Sequence, residues 1–238
     1  MRSVICLPTY DERENIEPMV AALRGLGLDD LHVLVIDDNS PDGTGEIADR
    51  LAAADDHVHV LHRERKEGLG PAYLAGFRRA LELGGELIFE MDCDFSHDPA
   101  DVPRLAAATE DADLVLGSRY VQGGGTRNWG FVRRFISRGG SLYAQVLLQL
   151  GVRDLTGGFK CYRRKVLETI DVDGISSRGY AFQIETTYRS LRAGFRVVEV
   201  PITFADREVG GSKMSKSIVV EAIWRVPLLR TRALFHRL

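Results

Sequence analysis

The stretch "LIFEMDCDFSHDP", residues 87–99, climbs out of an apolar run and ends in three acids, Asp92, Asp94 and Asp98. Carboxylates at two-residue spacing repel one another unless a cation lies between them. In an extended chain alternate side chains share a face. Asp92, Asp94 and Ser96 would therefore point the same way if the extended geometry persists past the strand. An oxygen-only donor set selects a hard ion, Mg²⁺ or Mn²⁺, which keeps waters and takes substrate phosphates as further ligands. The pattern thus suggests a nucleoside diphosphate held through a metal. An Asp-x-Asp tripeptide is common by chance; its place directly after "LIFEM" gives it weight. His97 reads as a structural or solvated loop histidine rather than a ligand.

Two earlier runs end in the same manner. In "LPTYDERENI", Pro8 is expected to halt a strand ladder. Glu12 and Asn15 then fall near a helix start, among unpaired backbone donors. In "VIDDNSPDGT", "SPDGT" is turn chemistry, and Asp42 or Thr44 suits the cap of the next helix. Capping does not explain Asp37 and Asp38, which read as ligand-binding. The basic residues lie elsewhere. Arg119 to Arg138 holds five arginines and no acid, and Arg207 to the C-terminus holds seven Lys/Arg against two acids. A basic back half on a chain with acidic strand ends suggests a metal site and an anionic partner. "EGLGPAYLAGF" fails as a dinucleotide fingerprint, because Tyr73 stands where the third glycine is needed.

These residues need a frame. Apolar β-rich runs at 3–8, 31–37, 57–62, 86–92 and 112–118 alternate with helical stretches at about 13–26, 44–54, 70–84 and 99–109. Such alternation means an α/β fold, a Rossmann-like mostly parallel sheet flanked by helices, whose ligands bind beyond the carboxyl ends of the strands. After residue 120 the pattern changes. "QGGGTRNWG" is a Gly-rich loop, and "RRFISRGGSLYAQVLLQLG" an amphipathic helix. "LTGGFKCYRR" reads as a loop turning into a short helix, "FQIETTYRSLRAG" as helix and "RVVEVPITFADR" as strand. The 238 residues make one domain with a substrate-binding second half. A net charge of −3 gives no field for nucleic acid. Cys6, Cys93 and Cys161 lie far apart without metal-ligand spacing and read as reduced thiols of a cytosolic protein. "SVICLP" is too short for a signal peptide, and no apolar run reaches membrane-spanning length.

Taken together, "LPTYDERENI", "VIDDNSPDGT", "EGLGPAYLAGF", "MDCDFSHDP", "GSRY", "LTGGFKCYRR" and "DREVGGSKMS" resemble the dolichol- (polyprenol-) phosphate mannosyltransferases of glycosyltransferase family 2, over nearly the whole chain and in order. The QxxRW signature of processive polysaccharide synthases in that family is absent. The resemblance implies a GT-A fold, with residues 1–118 as nucleotide-sugar half, 119–213 as acceptor half and 214–238 as an amphipathic tail. It implies that Pro8, Tyr10, Glu12, Ile36 and Asp38 line the nucleoside pocket. Asp92, Cys93 and Asp94 would contact the nucleotide sugar, with Asp92, Asp94 and Ser96 on Mg²⁺ or Mn²⁺. Arg119, Arg207 and Lys213 would complete the donor and phosphate site. Arg133 and Ser137 would meet the acceptor phosphate, with Arg134 as the competing register.

The implied reaction transfers mannose from GDP-mannose to a polyprenyl or dolichyl phosphate, inverting the anomeric centre to a β-linked product. A family-2 transferase using UDP-glucose, a nucleotidyltransferase, and a non-catalytic sugar-nucleotide-binding or adaptor subunit are the competing readings. The expected location is the cytoplasmic face of a membrane, with peripheral contact, alone or through a membrane-anchoring partner subunit. In the tail, Ile218, Val219, Ala222, Ile223 and Val226 fall at helical spacing among Lys216, Arg225, Arg230, Arg232 and Arg237. That segment is expected to lie in the lipid interface or to pack on the core.

Overall fold

The computed structural model describes residues 1–175, 177, 179–206 and 224–232. Its first half alternates: β1 (Ser3–Thr9), α1 (Arg13–Arg24), β2 (Leu31–Asp37), α2 (Thr44–Ala54), β3 (Val58–His62), α3 (Leu69–Glu82), β4 (Leu87–Glu90), α4 (Val102–Ala108) and β5 (Leu114–Ser118). Then come β6 (Gly125–Arg127), α5 (Phe131–Leu148), β7 (Lys160–Arg163), α6 (Arg164–Thr169), α7 (Gly179–Arg192), β8 (Val197–Pro201) and β9 (Thr203–Ala205). Residues 224–232 are again helical.

Seven strands form one sheet in the order β3-β2-β1-β4-β7-β5-β8. All neighbours are parallel except β7, which runs antiparallel to both β4 and β5. The strands read as continuous apolar runs because both faces are covered. Leu34 and Ile36 enter one core with Phe77, Tyr162 and Phe182, whereas Val33 and Val35 enter the other with Met19 and Phe89. Helix α3 lies so close to β2 that a Cβ at Gly76 would overlap the Ile36 side chain.

Three expectations need correction here. "FKCYRR" is not loop: Lys160–Arg163 is a strand at the centre of the sheet. Its charged first residue disguised it. Lys160 is fully buried, and its ammonium donates to the Gln183 carbonyl at 2.8 Å and Thr186 Oγ1 at 2.9 Å. Pro8 does not halt the ladder either, since β1 stays in register with β2 through Thr9↔Asp37. The Cys6 carbonyl accepts from Met91 N–H, so Pro8, two residues on, turns its donor-less nitrogen to the same side, where β4 has ended. Finally, Val226 does not lie in a lipid-facing stripe. It is buried in the core with Leu229, while Ile218, Val219, Ala222, Ile223 and Arg237 fall outside the described residues.

Candidate active site

The acid-rich turn follows β4 at the centre of the sheet. The chain does not remain extended there. Phe95 takes a left-handed φ of 56°, and Asp94 Oδ1 accepts the Ser96 N–H at 3.1 Å. Strand alternation therefore does not place Asp92, Asp94 and Ser96 on one face; a tight turn joins Asp94 to Ser96. Asp94 and Ser96 are 5% and 2% exposed, while the Asp92 side chain keeps 30%. The Tyr73 hydroxyl donates to Asp92 Oδ1 at 3.3 Å, from a ring stacked on Phe77 and Phe182.

His97 supports this turn from below. Its Nδ1 accepts the Asp92 N–H at 3.2 Å, and its ring stacks on Phe159 and meets the edge of Phe204. Burial pushes its pKa down to about 4, against the pull of Asp94, so the ring is neutral. The reading of His97 as structural stands. The buried Ser96 hydroxyl has no hydrogen-bond partner among the described residues. A buried, orphaned hydroxyl beside the Asp94 carboxylate, with Asp92 two residues before it, is an oxygen-only set that suits a hard divalent ion. Asp92, Asp94 and Ser96 are the residues that would hold it.

The ends of β1 and β2 build the adjoining wall. Asp37 is engaged on both oxygens: Oδ1 accepts from Ser40 Oγ at 2.5 Å and Oδ2 from Ser40 N at 3.2 Å. Asp37 therefore closes its own turn. Asp42 accepts the Thr44 N–H at 3.0 Å at the start of α2 and the Arg13 N–H at 3.0 Å at the start of α1. It serves two helix ends, one more than expected. Asp38 is buried, and Arg63 donates to it at 2.5 Å. Burial raises the Asp38 pKa, and the Arg63 charge opposes this. The Lys66 ammonium sits 3.7 Å above the Tyr10 ring, and Glu12 accepts from Asn15 Nδ2 at 2.7 Å. Pro8 is half-buried in β1, and Ile36 is wholly inside the core, packed on Gly76.

Across the turn, the end of β5 and helix α5 carry the basic set. Arg119 is buried and grips Asp154 with Nε–Oδ2 and Nη2–Oδ1 bonds of 2.7 Å each. Arg119 Nη2 also donates to Thr156 Oγ1 at 2.9 Å. Ser137 lies 3.5 Å from the same Thr156 oxygen and accepts from the Tyr120 hydroxyl at 2.8 Å. Arg133, one turn before Ser137 on α5, pairs with Asp206 at 2.5 Å and stacks 4.3 Å over Trp129. Arg134 turns outward and donates to the Trp129 carbonyl at 2.9 Å. Arg133 is half-buried, whereas Arg134 is exposed. The Ser96 carbonyl accepts the Ala205 N–H at 3.1 Å, so β9 ties the basic side to the acidic turn. Arg207 and Lys213 lie outside the described residues.

Sequence reasoning missed Asp154, Thr156, Arg63 and Tyr73. One signal for Asp154 was available: it closes a stretch, Leu114 to Arg153, that holds six arginines and no acid. Tyr73 shows in the sequence only as the residue that breaks a glycine fingerprint.

A mostly parallel sheet with one antiparallel insertion, and an acidic turn at its central strand end, defines a glycosyltransferase of GT-A fold. The chain belongs to glycosyl transferase family 2, whose model matches residues 4–171. It is similar to the polyprenol monophosphomannose synthase of Mycolicibacterium smegmatis, 50% identical over 94% of this chain and 85% of the relative. It is also similar to the undecaprenyl-phosphate mannosyltransferase of Micrococcus luteus, 51% identical over 95% and 93%. Among solved structures, a glucosyl-3-phosphoglycerate synthase from Mycobacterium tuberculosis with Mn²⁺, UDP and phosphoglyceric acid matches with a TM-score of 0.68 at 20% identity, covering 94% of this chain and 78% of that one. A Pyrobaculum calidifontis mannosyltransferase with GDP-mannose and Mn²⁺ matches with a TM-score of 0.58 at 16% identity, over 99% and 74%. These structures establish the fold.

Proposed function

We propose that this enzyme transfers mannose from GDP-mannose to a polyprenyl phosphate, with Mg²⁺ or Mn²⁺ at the acidic turn. One observation carries the reading: the turn that holds Asp92, Asp94 and Ser96 is tied by the Ser96–Ala205 hydrogen bond to the strand end beside Asp206, the ion-pair partner of Arg133. The names of relatives about half identical to this chain support the same sugar and acceptor class. A divalent ion, when bound, offsets the charge on the departing nucleoside diphosphate.

A lipid phosphate monoester, with a second pKa of about 6, is already anionic near neutral pH. It attacks the anomeric carbon without a strong general base, which agrees with a site whose buried histidine is neutral and structural. Direct displacement turns an α-linked donor into a β-linked product. The chain's work is to hold two anions together. Asp94 and Ser96 supply buried oxygen ligands, and Tyr73 steadies Asp92. Arg119 is committed to Asp154, so it acts as a strut that orients Ser137 through Thr156. Arg133 keeps one ion pair at the surface, to Asp206, which an incoming phosphate can replace with two hydrogen bonds from the planar guanidinium.

The lipid acceptor requires a membrane surface. Among the described residues no helix is long and apolar enough to cross a bilayer. Helix α5 instead exposes Phe131, Phe135, Leu142 and Val146, and Trp224 and Leu228 are exposed on the helical segment 224–232. Arg134 and Arg138 border this face. An amphipathic face of this kind lies in a lipid interface, with Arg133 and Ser137 on the opposite, inward side of the same helix. The assignment includes peripheral contact at the cytoplasmic leaflet.

Arg133→Ala should raise the KM for polyprenyl phosphate or lower kcat, with little change in GDP-mannose affinity. Loss of one charge-assisted hydrogen bond costs about 1.5–3 kcal/mol, roughly ten- to a hundredfold. Kinetics with each substrate varied in turn decide it. A defect confined to donor affinity, or activity within about twofold (under ~0.5 kcal/mol) of the parent, would remove Arg133 from the acceptor site.

A further inference from the structure

The amino ends of β2 and β3, opposite the acidic turn, carry a second group of ligating side chains. Asp30 and His32 flank the start of β2, His57 precedes β3, and His59 lies within it. One ligand atom from each of Asp30, His32 and His57 lies within 4.8 Å of the others. His32 Nε2 is 2.9 Å from Asp30 Oδ1, and His32 Nδ1 is 2.9 Å from His59 Nε2. The His32 and His57 ring centroids are 4.8 Å apart. The transfer reaction uses none of these groups. Strand β2 is seven residues long, so its two ends lie roughly 20 Å apart.

We propose that Asp30, His32 and His57 form a site for a borderline divalent transition ion, Zn²⁺ above all, separate from the hard-ion site at Asp92–Ser96. Two imidazoles and one carboxylate are a donor set for zinc and not for magnesium. Ligands at about 2.0–2.1 Å around a tetrahedral ion sit roughly 3.3 Å apart. Asp30 and His32 are already near that spacing, so the ion enters by replacing the hydrogen they share. His57 lies in a loop with its side chain 43% exposed and closes the third position, and water takes the fourth.

The surroundings are those of a metal centre. With Nε2 on the ion, His32 keeps its proton on Nδ1 and donates it to His59 Nε2, which fixes the ring. Asp55 Oδ1, 3.2 Å from His57 Nδ1, steadies the third ring. Two cations oppose binding. Arg2 donates to both Asp30 oxygens at 3.3 Å, and Arg24 donates to Asp55 at 2.7 Å. The expected affinity is therefore micromolar, below that of a closed structural zinc site.

The test uses the full chain without a polyhistidine tag, stripped of metal and held in excess Mg²⁺. Zn²⁺ is titrated by calorimetry, and Co²⁺ is added in parallel as a spectroscopic probe. One equivalent of Zn²⁺ should bind at micromolar concentration, and Co²⁺ should give the visible bands of a four-coordinate site. His57→Ala, a change on a half-exposed loop, should weaken Zn²⁺ binding by about tenfold or more and abolish the bands. Asp94→Ala should keep both. Equal affinity in the parent and His57→Ala, loss of binding in Asp94→Ala, or no binding below millimolar Zn²⁺ would each overturn the site.

Discussion

Asp154 decides what Arg119 can do. Both carboxylate oxygens face the guanidinium, and neither residue is open to solvent. Removing the acid leaves a buried cation unpaired, which costs about 3–5 kcal/mol. Asp154→Ala should therefore lose that much stability in urea unfolding, and a loss under about 1 kcal/mol would show that Arg119 finds another partner. The acids proposed for the site were legible as residues: Asp38, Asp92 and Asp94 stand at the end of apolar runs. The partners of Asp38 and Asp92 were not, because Arg63 and Tyr73 come from 25 and 19 positions away along the chain, and Arg119 finds Asp154 across 35. Asp37 misled although its partner Ser40 is only three positions on. Its type and place suggested a ligand, and only the fold shows both oxygens spent on the Ser40 turn.

The turn after β4 is an element in its own right, and His97 is its foundation. The ring is buried and neutral, with its pKa pushed down to about 4, whereas the unfolded chain titrates near 6.5. As pH falls below about 6.5 the unfolded state takes up the proton first, so stability drops between about pH 6.5 and pH 4. Unfolding of the parent and of His97→Gln, followed by urea at stepped pH, isolates this contribution. The parent should show the steeper loss over that window, and parallel curves would mean that the histidine charges without cost. Five strands and the helices between them were legible because period and composition agree. Strand β7 was not, since a lysine opens it and a glycine pair precedes it. Its strand character depends on Glu90, buried 3.9 Å from the Lys160 ammonium, and on α7 above it.

For the whole molecule, the arrangement of charge and apolar surface matters more than net composition. Phe131 and Phe135 are 81% and 71% exposed at the start of α5, the same helix that presents Arg133 and Ser137 inward. Replacing both phenylalanines with aspartate should cut sedimentation with anionic vesicles while leaving GDP-mannose affinity unchanged. Undiminished sedimentation would shift the membrane contact elsewhere. The amphipathic character of α5 was legible in its spacing. Its outward direction was not, because a helix can bury its apolar face, as Val226 and Leu229 do in the segment 224–232. Labelled GDP-mannose and labelled UDP-glucose are each incubated with the enzyme, polyprenyl phosphate and Mg²⁺ or Mn²⁺, and the product is extracted into organic solvent. Label from GDP-mannose alone should enter the organic phase, and it should vanish with chelator or with Asp94→Ala. Extraction of glucose instead, donor binding without transfer, or transfer that persists in Asp94→Ala would contradict the account.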